Sequence, residues 1–354
     1  MEDFDHMHHA LRLGRRTMGA TGKNPAVGCV LVKDGRILAA GWTAEGGVPH
    51  AEVRALEMAG AAARGATAYV SLEPCCHHGR TAPCTDALIR AGIARVVTAI
   101  EDPDPRVRGK GHARLRDAGV AVETGLLAQE ARRDLAGFMS RITRQRPHVL
   151  LKLALSADGM IASAPGLRTA ITGEEANART HLMRAQADAI MVGANTVKTD
   201  DPSLTCRLPG LEHRSPRPVI VDGSLSTPLA ARLVASARSR SLIILIVADA
   251  EGGKELARAG AELIPCREWE PGRIDLRSGL DELARRGINR LLVEGGADLA
   301  RQLAGEGLLD ELALFVSPRT LGGQGLRADL DLNSFRMSAE ETLGKDVLRH
   351  YEKL

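Results

Sequence analysis

The chain has 354 residues, 44% hydrophobic and 26% charged, with a formal net charge of +3. This fits a globular protein of two domains and excludes a disordered one. So small a charge, with no Lys/Arg run and 2% aromatic residues, argues against nucleic-acid binding, both to duplexes and by stacking on single strands.

Residues 5–19 carry Met7, Leu11 and Met18 on one side of an expected helix. Residues 27–32 form an apolar run, Asp34-Gly35 a turn, and 37–42 the returning strand of a hairpin. An Ala-rich helix is expected over 51–63, then a strand over 66–72 and a loop rich in Cys, His and Pro. Helix 85–91, strand 94–100, helix 110–118 and strand 120–124 complete a layered α/β domain. Residues 128–146 read as a charged helix connecting two domains and ending at Pro147. The pattern then restarts with strands over 148–156, 189–193, 217–222, 242–247, 290–294 and 311–316. Helices are expected over 174–186 and near 254–259, 278–286 and 298–306, which makes a second α/β domain. The expected domains are 1–146 and 147–354, and the tail after about 325 carries no readable motif. The N-terminus is acidic and no long uncharged apolar window occurs, so neither a signal peptide nor a membrane span is expected. The expected address is the cytoplasm.

Six cysteines, three of them crowded between Cys75 and Cys84, suit metal or catalytic thiols in a reducing compartment better than a disulfide scaffold. His50-Ala51-Glu52 opens a helix, and Pro74-Cys75 and Pro83-Cys84 follow. One His and two Cys are three zinc ligands that leave a fourth position for water. Glu52 stands beside the His ligand without being one, placed to carry a proton. This matches the His-x-Glu and Pro-Cys parts of the zinc nucleobase deaminase signature. The proline before Cys75 marks Cys75, not Cys76, as the ligand. His77 and His78 read as solvated or substrate-contacting loop residues rather than extra ligands.

The stretch from Glu73 to Cys84, with its long spacing between ligand cysteines, resembles the deaminase half of the bifunctional riboflavin-biosynthesis deaminase–reductases, the bacterial RibD family. Asn24-Pro25-Ala26-Val27-Gly28, His50-Ala51-Glu52-Val53, Asp102-Pro103-Asp104-Pro105 and Gly109-Lys110-Gly111 resemble it too. The resemblance implies a cytidine-deaminase-like three-layer domain. It also implies the family's substrate, a diaminopyrimidinone carrying ribosylamine 5′-phosphate. His77 and Arg80 would supply donors for the phosphate, Asn24 an amide for the base edge, and Asp102 an acceptor for ribose hydroxyls. Asp104 stands where the family usually has Asn.

In the second domain no Gly-x-Gly-x-x-Gly follows a strand, so a Rossmann site has no support. Glu294-Gly295-Gly296 does follow a strand and lead into a helix, where backbone N–H groups can approach a phosphate. This segment, the run 152–159, the run 193–197 and the run 200–207 resemble the reductase half of the same family. That resemblance implies a dihydrofolate-reductase-like fold and NADPH as cofactor. Hydride would go to an imine formed by opening of the ribose ring. Ala154, Ala170, Thr196, Asp200, Gly295, Gly296, Ala297 and Leu299 would contact the cofactor. Arg168, Arg184, Leu204, Arg207 and Glu294 would contact substrate, with Arg184 and Arg207 as phosphate forks. Arg168 and Ala170 depart from the family's Ser-x-Trp pattern. The implied protein binds a small phosphorylated pyrimidine, no nucleic acid and no membrane, and is expected to be a homo-oligomer. The rival reading is a deaminase of another pyrimidine nucleotide with a non-catalytic C-terminal binding or dimerisation domain. The run from Asp200 to Thr205 speaks against it.

Overall fold

A computed structural model describes residues 2–79, 81–164, 166–167, 169–248, 252–322, 325–328 and 330–354. The chain divides into two compact units, Met1–Gln145 and Arg146–Leu354.

The first unit runs α1 (Asp3–Arg15), β1 (Gly28–Lys33), β2 (Arg36–Trp42), α2 (Ala51–Ala59), β3 (Thr67–Val70), α3 (Cys84–Arg90), β4 (Arg95–Thr98), α4 (Lys110–Asp117), β5 (Ala121–Thr124), α5 (Ala128–Asp134) and α6 (Ala136–Arg144). Its sheet has the order β2-β1-β3-β4-β5, antiparallel through β3 and parallel beyond. Two glycines explain how helices cover both faces. A Cβ at Gly28 would lie 1.9 Å from the carbonyl oxygen of Ala10, so α1 lies directly on β1. A Cβ at Gly41 would lie 2.3 Å from the carbonyl oxygen of Ala51, so α2 lies directly on β2. Gly28 pairs with Trp42 and therefore shares its face, while Gly41, one residue earlier, points the other way. α1 and α2 thus lie on opposite faces, and the unit has three layers.

The helical segment expected over 128–146 closes the first unit. It is two helices, broken at Leu135, and Ala131, Leu135 and Phe138 are buried in the first unit's core. Arg132, Arg133 and Arg144 point to the outer face.

The second unit begins with β6 (His148–Leu155), β7 (Met160–Ala162), α7 (Glu174–Ala185), β8 (Ala189–Gly193), α8 (Ala194–Asp200), β9 (Arg217–Val221), α9 (Arg232–Ala235), α10 (Ala237–Arg240), β10 (Ile243–Val247) and α11 (Lys254–Ala259). It continues with β11 (Glu262–Cys266), β12 (Glu268–Glu270), β13 (Arg273–Ile274), α12 (Leu276–Arg285), β14 (Arg290–Val293), α13 (Ala297–Gly305), β15 (Glu311–Val316), β16 (Leu326–Arg327), β17 (Phe335–Leu343) and β18 (Asp346–Lys353). Nine strands form one sheet in the order β11-β10-β9-β8-β14-β6-β15-β18-β17. It is parallel except for the last two strands. Its central strands alternate between two apolar cores: Leu291 and Val293 face one, Leu292 the other. The tail without a readable motif is the β17–β18 hairpin, which extends the sheet beyond β15. Among the described residues no helix is long and apolar enough to cross a membrane.

Candidate functional site

In the first unit, His50 caps the N-terminus of α2, Cys84 opens α3, and Cys75 lies in the loop after β3. The Thr85 backbone N–H donates to the Cys75 carbonyl at 3.1 Å and the Cys84 N–H to Cys75 Sγ at 3.3 Å, which fixes the loop to the start of α3. His50 Nδ1 lies 3.7 Å from Cys75 Sγ and 3.3 Å from Cys84 Sγ. The three donor atoms all lie within 4.8 Å of one another. Tetrahedral zinc with ordinary Zn–S and Zn–N bonds places N and S about 3.6 Å apart. The observed separations bracket that value, so the donor set fits zinc in both chemistry and spacing. Cys75 is held in its thiolate form by hydrogen bonds from Cys84 and His50. Glu52, 4% exposed, sits in the first turn of α2. Burial pushes its carboxyl above the usual range, opposed by the charge of His50.

The loop facing this cluster is held by Glu73, which sequence reading left without a role. Its buried carboxylate accepts the backbone N–H groups of Asp102 at 3.1 Å, Gly109 at 2.9 Å and His112 at 3.1 Å. Asp102 is buried in that loop, accepts the Asp104 N–H at 2.8 Å, and has its carboxyl pushed up to about 7 by burial. Asn24 Nδ2 donates to the Gly47 carbonyl at 2.8 Å. His77 is half-buried, and its Nδ1 has no hydrogen-bond partner among the described residues. Arg80 lies outside the described residues.

In the second unit a cleft of about 1030 Å³ opens at the carboxyl ends of β6, β8, β9 and β14, where open parallel sheets bind ligands. Ala154, Thr196, Asp200, Glu294, Gly295, Gly296, Ala297 and Leu299 line it. Gly296 caps α13, and a Cβ there would meet only Thr196 Oγ1, at 3.8 Å, so the backbone is open to the cleft. Size, glycine cap and helix N-terminus together suit a dinucleotide with its phosphates near α13. Ala170, Arg184, Leu204 and Arg207 are not among the lining residues. The Ala170 carbonyl accepts from Arg319 Nη1 at 3.2 Å, Arg207 is exposed, and Leu204 is buried with φ +50°. Arg168 lies outside the described residues.

Arg184 reaches the cleft through Glu294. Its Nε and Nη2 donate to the two carboxylate oxygens at 2.7 and 2.6 Å, and its Nη1 to the Thr205 carbonyl at 3.0 Å. Burial pushes the Glu294 carboxyl up, but the Arg184 hydrogen bond and the charges of Arg184 and Lys152 outweigh it and hold the group ionised. Lys152 also lines the cleft, its Nζ 5.2 Å from the Phe315 ring. Burial lowers its pKa. Sequence reading placed it in a motif but gave it no role. Asp222 with Ser226 and Thr227 was missed as well: the aspartate accepts both backbone N–H groups and both hydroxyls and shapes the cleft wall after β9. A Val-Asp-Gly-Ser turn after an apolar run was the available signal.

Residues 1–100 match the cytidine and deoxycytidylate deaminase zinc-binding region, and residues 147–348 match the RibD C-terminal domain. The chain is 39% identical to the riboflavin biosynthesis protein RibD of Escherichia coli K12, covering 99% of each chain. It is 38% identical to that of Aquifex aeolicus, covering 99% of this chain and 98% of the relative. The solved Acinetobacter baumannii RibD superimposes with a TM-score of 0.89 at 34% identity, over 99% of each chain. A Thermotoga maritima diaminohydroxyphosphoribosylaminopyrimidine deaminase/5-amino-6-(5-phosphoribosylamino)uracil reductase gives 0.87 at 33%, again over 99% of each. A family model over residues 147–348 and identities of 38–39% over the full length mean that this chain belongs to the RibD family of bifunctional riboflavin-biosynthesis enzymes.

Proposed function

We propose that the first unit deaminates the diaminopyrimidinone ribosylamine 5′-phosphate and that the second reduces the product's ribosyl group to ribityl with NADPH. The observation that carries this reading is the coexistence of a His50–Cys75–Cys84 donor set beside buried Glu52 with a separate glycine-capped cleft in the second unit. Zinc, when bound, supplies the Lewis acidity that makes water a nucleophile near neutral pH. Glu52 Oε takes one proton of the water and delivers it to the ring nitrogen. It then takes the second from the hydroxyl now on the ring carbon and delivers it to the amine, which leaves as ammonia as the carbonyl forms. Its burial, which favours the protonated form, suits a group that must give the proton back. Asn24 and Asp102 orient the base and ribose, and His77 and Arg80 receive the phosphate.

In the second unit, NADPH supplies the hydride. Ala154, Thr196, Asp200 and the segment from Gly295 through Ala297 to Leu299 hold the cofactor. Glu294, oriented by Arg184, and Arg168 hold the substrate. The Arg184–Glu294 pair fixes a carboxylate in the cleft beside Lys152, whose lowered pKa suits it to donate a proton as the ribose ring opens. The free thiols of all six cysteines fit a cytoplasmic enzyme, and a closed homo-oligomer is the expected assembly.

Glu52→Gln tests the division of labour. Deamination should fall by about 10²–10⁴-fold while zinc stays bound. Reduction of pre-deaminated substrate should persist. Parallel loss of both activities would contradict separable sites.

A further inference from the structure

Asp104, the residue that departs from the family's Asn, is engaged in a way the proposed reaction does not use. It is 7% exposed. Its Oδ1 accepts the Arg106 backbone N–H at 2.9 Å and Nε at 3.0 Å, and its Oδ2 accepts Nη2 at 2.5 Å. The guanidinium holds the Asp104 carboxyl below its usual range. The Arg106 side chain is nevertheless 69% exposed, and among the described residues no second carboxylate pairs with it. The carboxylate takes the inner edge of the guanidinium, so both Nη1 hydrogens and one Nη2 hydrogen face outward. The carbonyl of Arg106 accepts from Cys76 Sγ at 3.7 Å, which ties the residue to the loop beside the ligand Cys75. In that loop His77, two residues after Cys75, carries its unpartnered Nδ1.

A carboxylate at this position would repel a phosphorylated substrate if it stood alone. Paired, it becomes the anchor of an exposed cation with free donors, on the loop that Cys76 ties to the segment carrying Cys75 and His77. We propose that Arg106, held in place by Asp104, is a specificity-determining residue of the deaminase site that binds the substrate's phosphate monoester alongside His77. This rests on the deaminase reading above. A guanidinium fixed by a carboxylate loses less freedom on binding a phosphate, and its charge-assisted hydrogen bonds are the strong kind.

The test is steady-state deamination by the zinc-loaded full chain, with the phosphorylated substrate and its dephosphorylated counterpart. Wild type, Arg106→Ala, Asp104→Asn and the double variant are compared, with zinc content measured for each. Arg106→Ala should raise the ratio of the phosphorylated to the dephosphorylated KM by about ten-fold or more, the scale of one lost charge-assisted hydrogen bond. Adding Asp104→Asn to Arg106→Ala should recover about three-fold or more of that loss, because it removes the uncompensated carboxylate. A structural staple would give no such recovery. An Arg106→Ala ratio equal to wild type, or a double variant no better than Arg106→Ala, overturns the proposal. Zinc-loaded wild type that turns over neither substrate overturns the deaminase reading and this proposal with it.

Discussion

Glu294→Gln tests the ion pair at the reductase cleft. The Arg184 and Glu294 side chains are 12% and 13% exposed and share two hydrogen bonds at 2.7 and 2.6 Å. Removing one charge of a buried pair leaves the other uncompensated, which costs about 3–5 kcal/mol. The residual exposure lets solvent relieve part of the penalty, and the retained amide oxygen still accepts one bond, so we take about 3 kcal/mol. For a unit of this size that lowers the melting temperature by about 6–12 °C. Calorimetry should show the drop in the second unit's transition, with NADPH-dependent reduction lost and deamination retained. Replacing both partners, Arg184→Met with Glu294→Leu, should restore most of the stability, because an apolar pair of similar volume has no stranded charge. It should not restore reduction. Glu294→Gln melting like wild type would refute the energetic argument. Wild-type reduction by the double variant would refute the placement of this pair in the site.

The zinc assignment predicts about one zinc per chain, with Cys84→Ser losing most of it and Cys76→Ser retaining it; elemental analysis separates the two. Equal retention would contradict the ligand set. Gly296→Val should weaken NADPH binding by closing the backbone's approach at the α13 cap. Ala170→Trp should tighten it by about 0.5–1.5 kcal/mol if the ring stacks on the cofactor. Fluorescence titration reads both, and unchanged affinity in Gly296→Val would remove the phosphates from that cap. Glu311 lies against His148 at 3.0 Å. Burial pushes its carboxyl up, but the close His148 contact and the charges of His148 and Arg290 bring it down to about 2. A depressed carboxyl contributes stability above its unfolded pKa and loses it as pH falls toward the folded value. The second unit should therefore lose melting temperature between about pH 5 and 2. Glu311→Gln should flatten that slope, and an equally steep slope in the variant would contradict the assignment.

The metal site was legible because its chemistry is local: His50-Ala51-Glu52 and two Pro-Cys pairs need no long-range contact to be noticed. The glycine cap of α13 was legible for the same reason. The Arg184–Glu294 pair was not read as a pair, because its partners are 110 residues apart and meet only through β14 and α7. Lys152 was hidden because its strand reads as a plain apolar run. β11 was missed: it is an edge strand carrying Pro265, a residue that argues against a strand when the sheet position is unknown. β17 is exposed almost throughout, so it has no apolar alternation to betray it. The break between α5 and α6 was not legible because four arginines stand out in the two helices, while the buried stripe of Ala131, Leu135 and Phe138 is short.

The central claim is that two chemistries reside on one chain in two separate sites. Its most direct test is a single reaction: the zinc-loaded protein is given the diaminopyrimidinone ribosylamine 5′-phosphate with and without NADPH, and products are followed by mass spectrometry. Without NADPH the account predicts ammonia release and accumulation of the deaminated ribosylamino product. With NADPH it predicts conversion of that product to the ribitylamino compound, with NADPH consumed one-for-one. Ammonia release with no NADPH consumption would leave the second unit without its reductase role, and no ammonia release in either reaction would contradict the account as a whole.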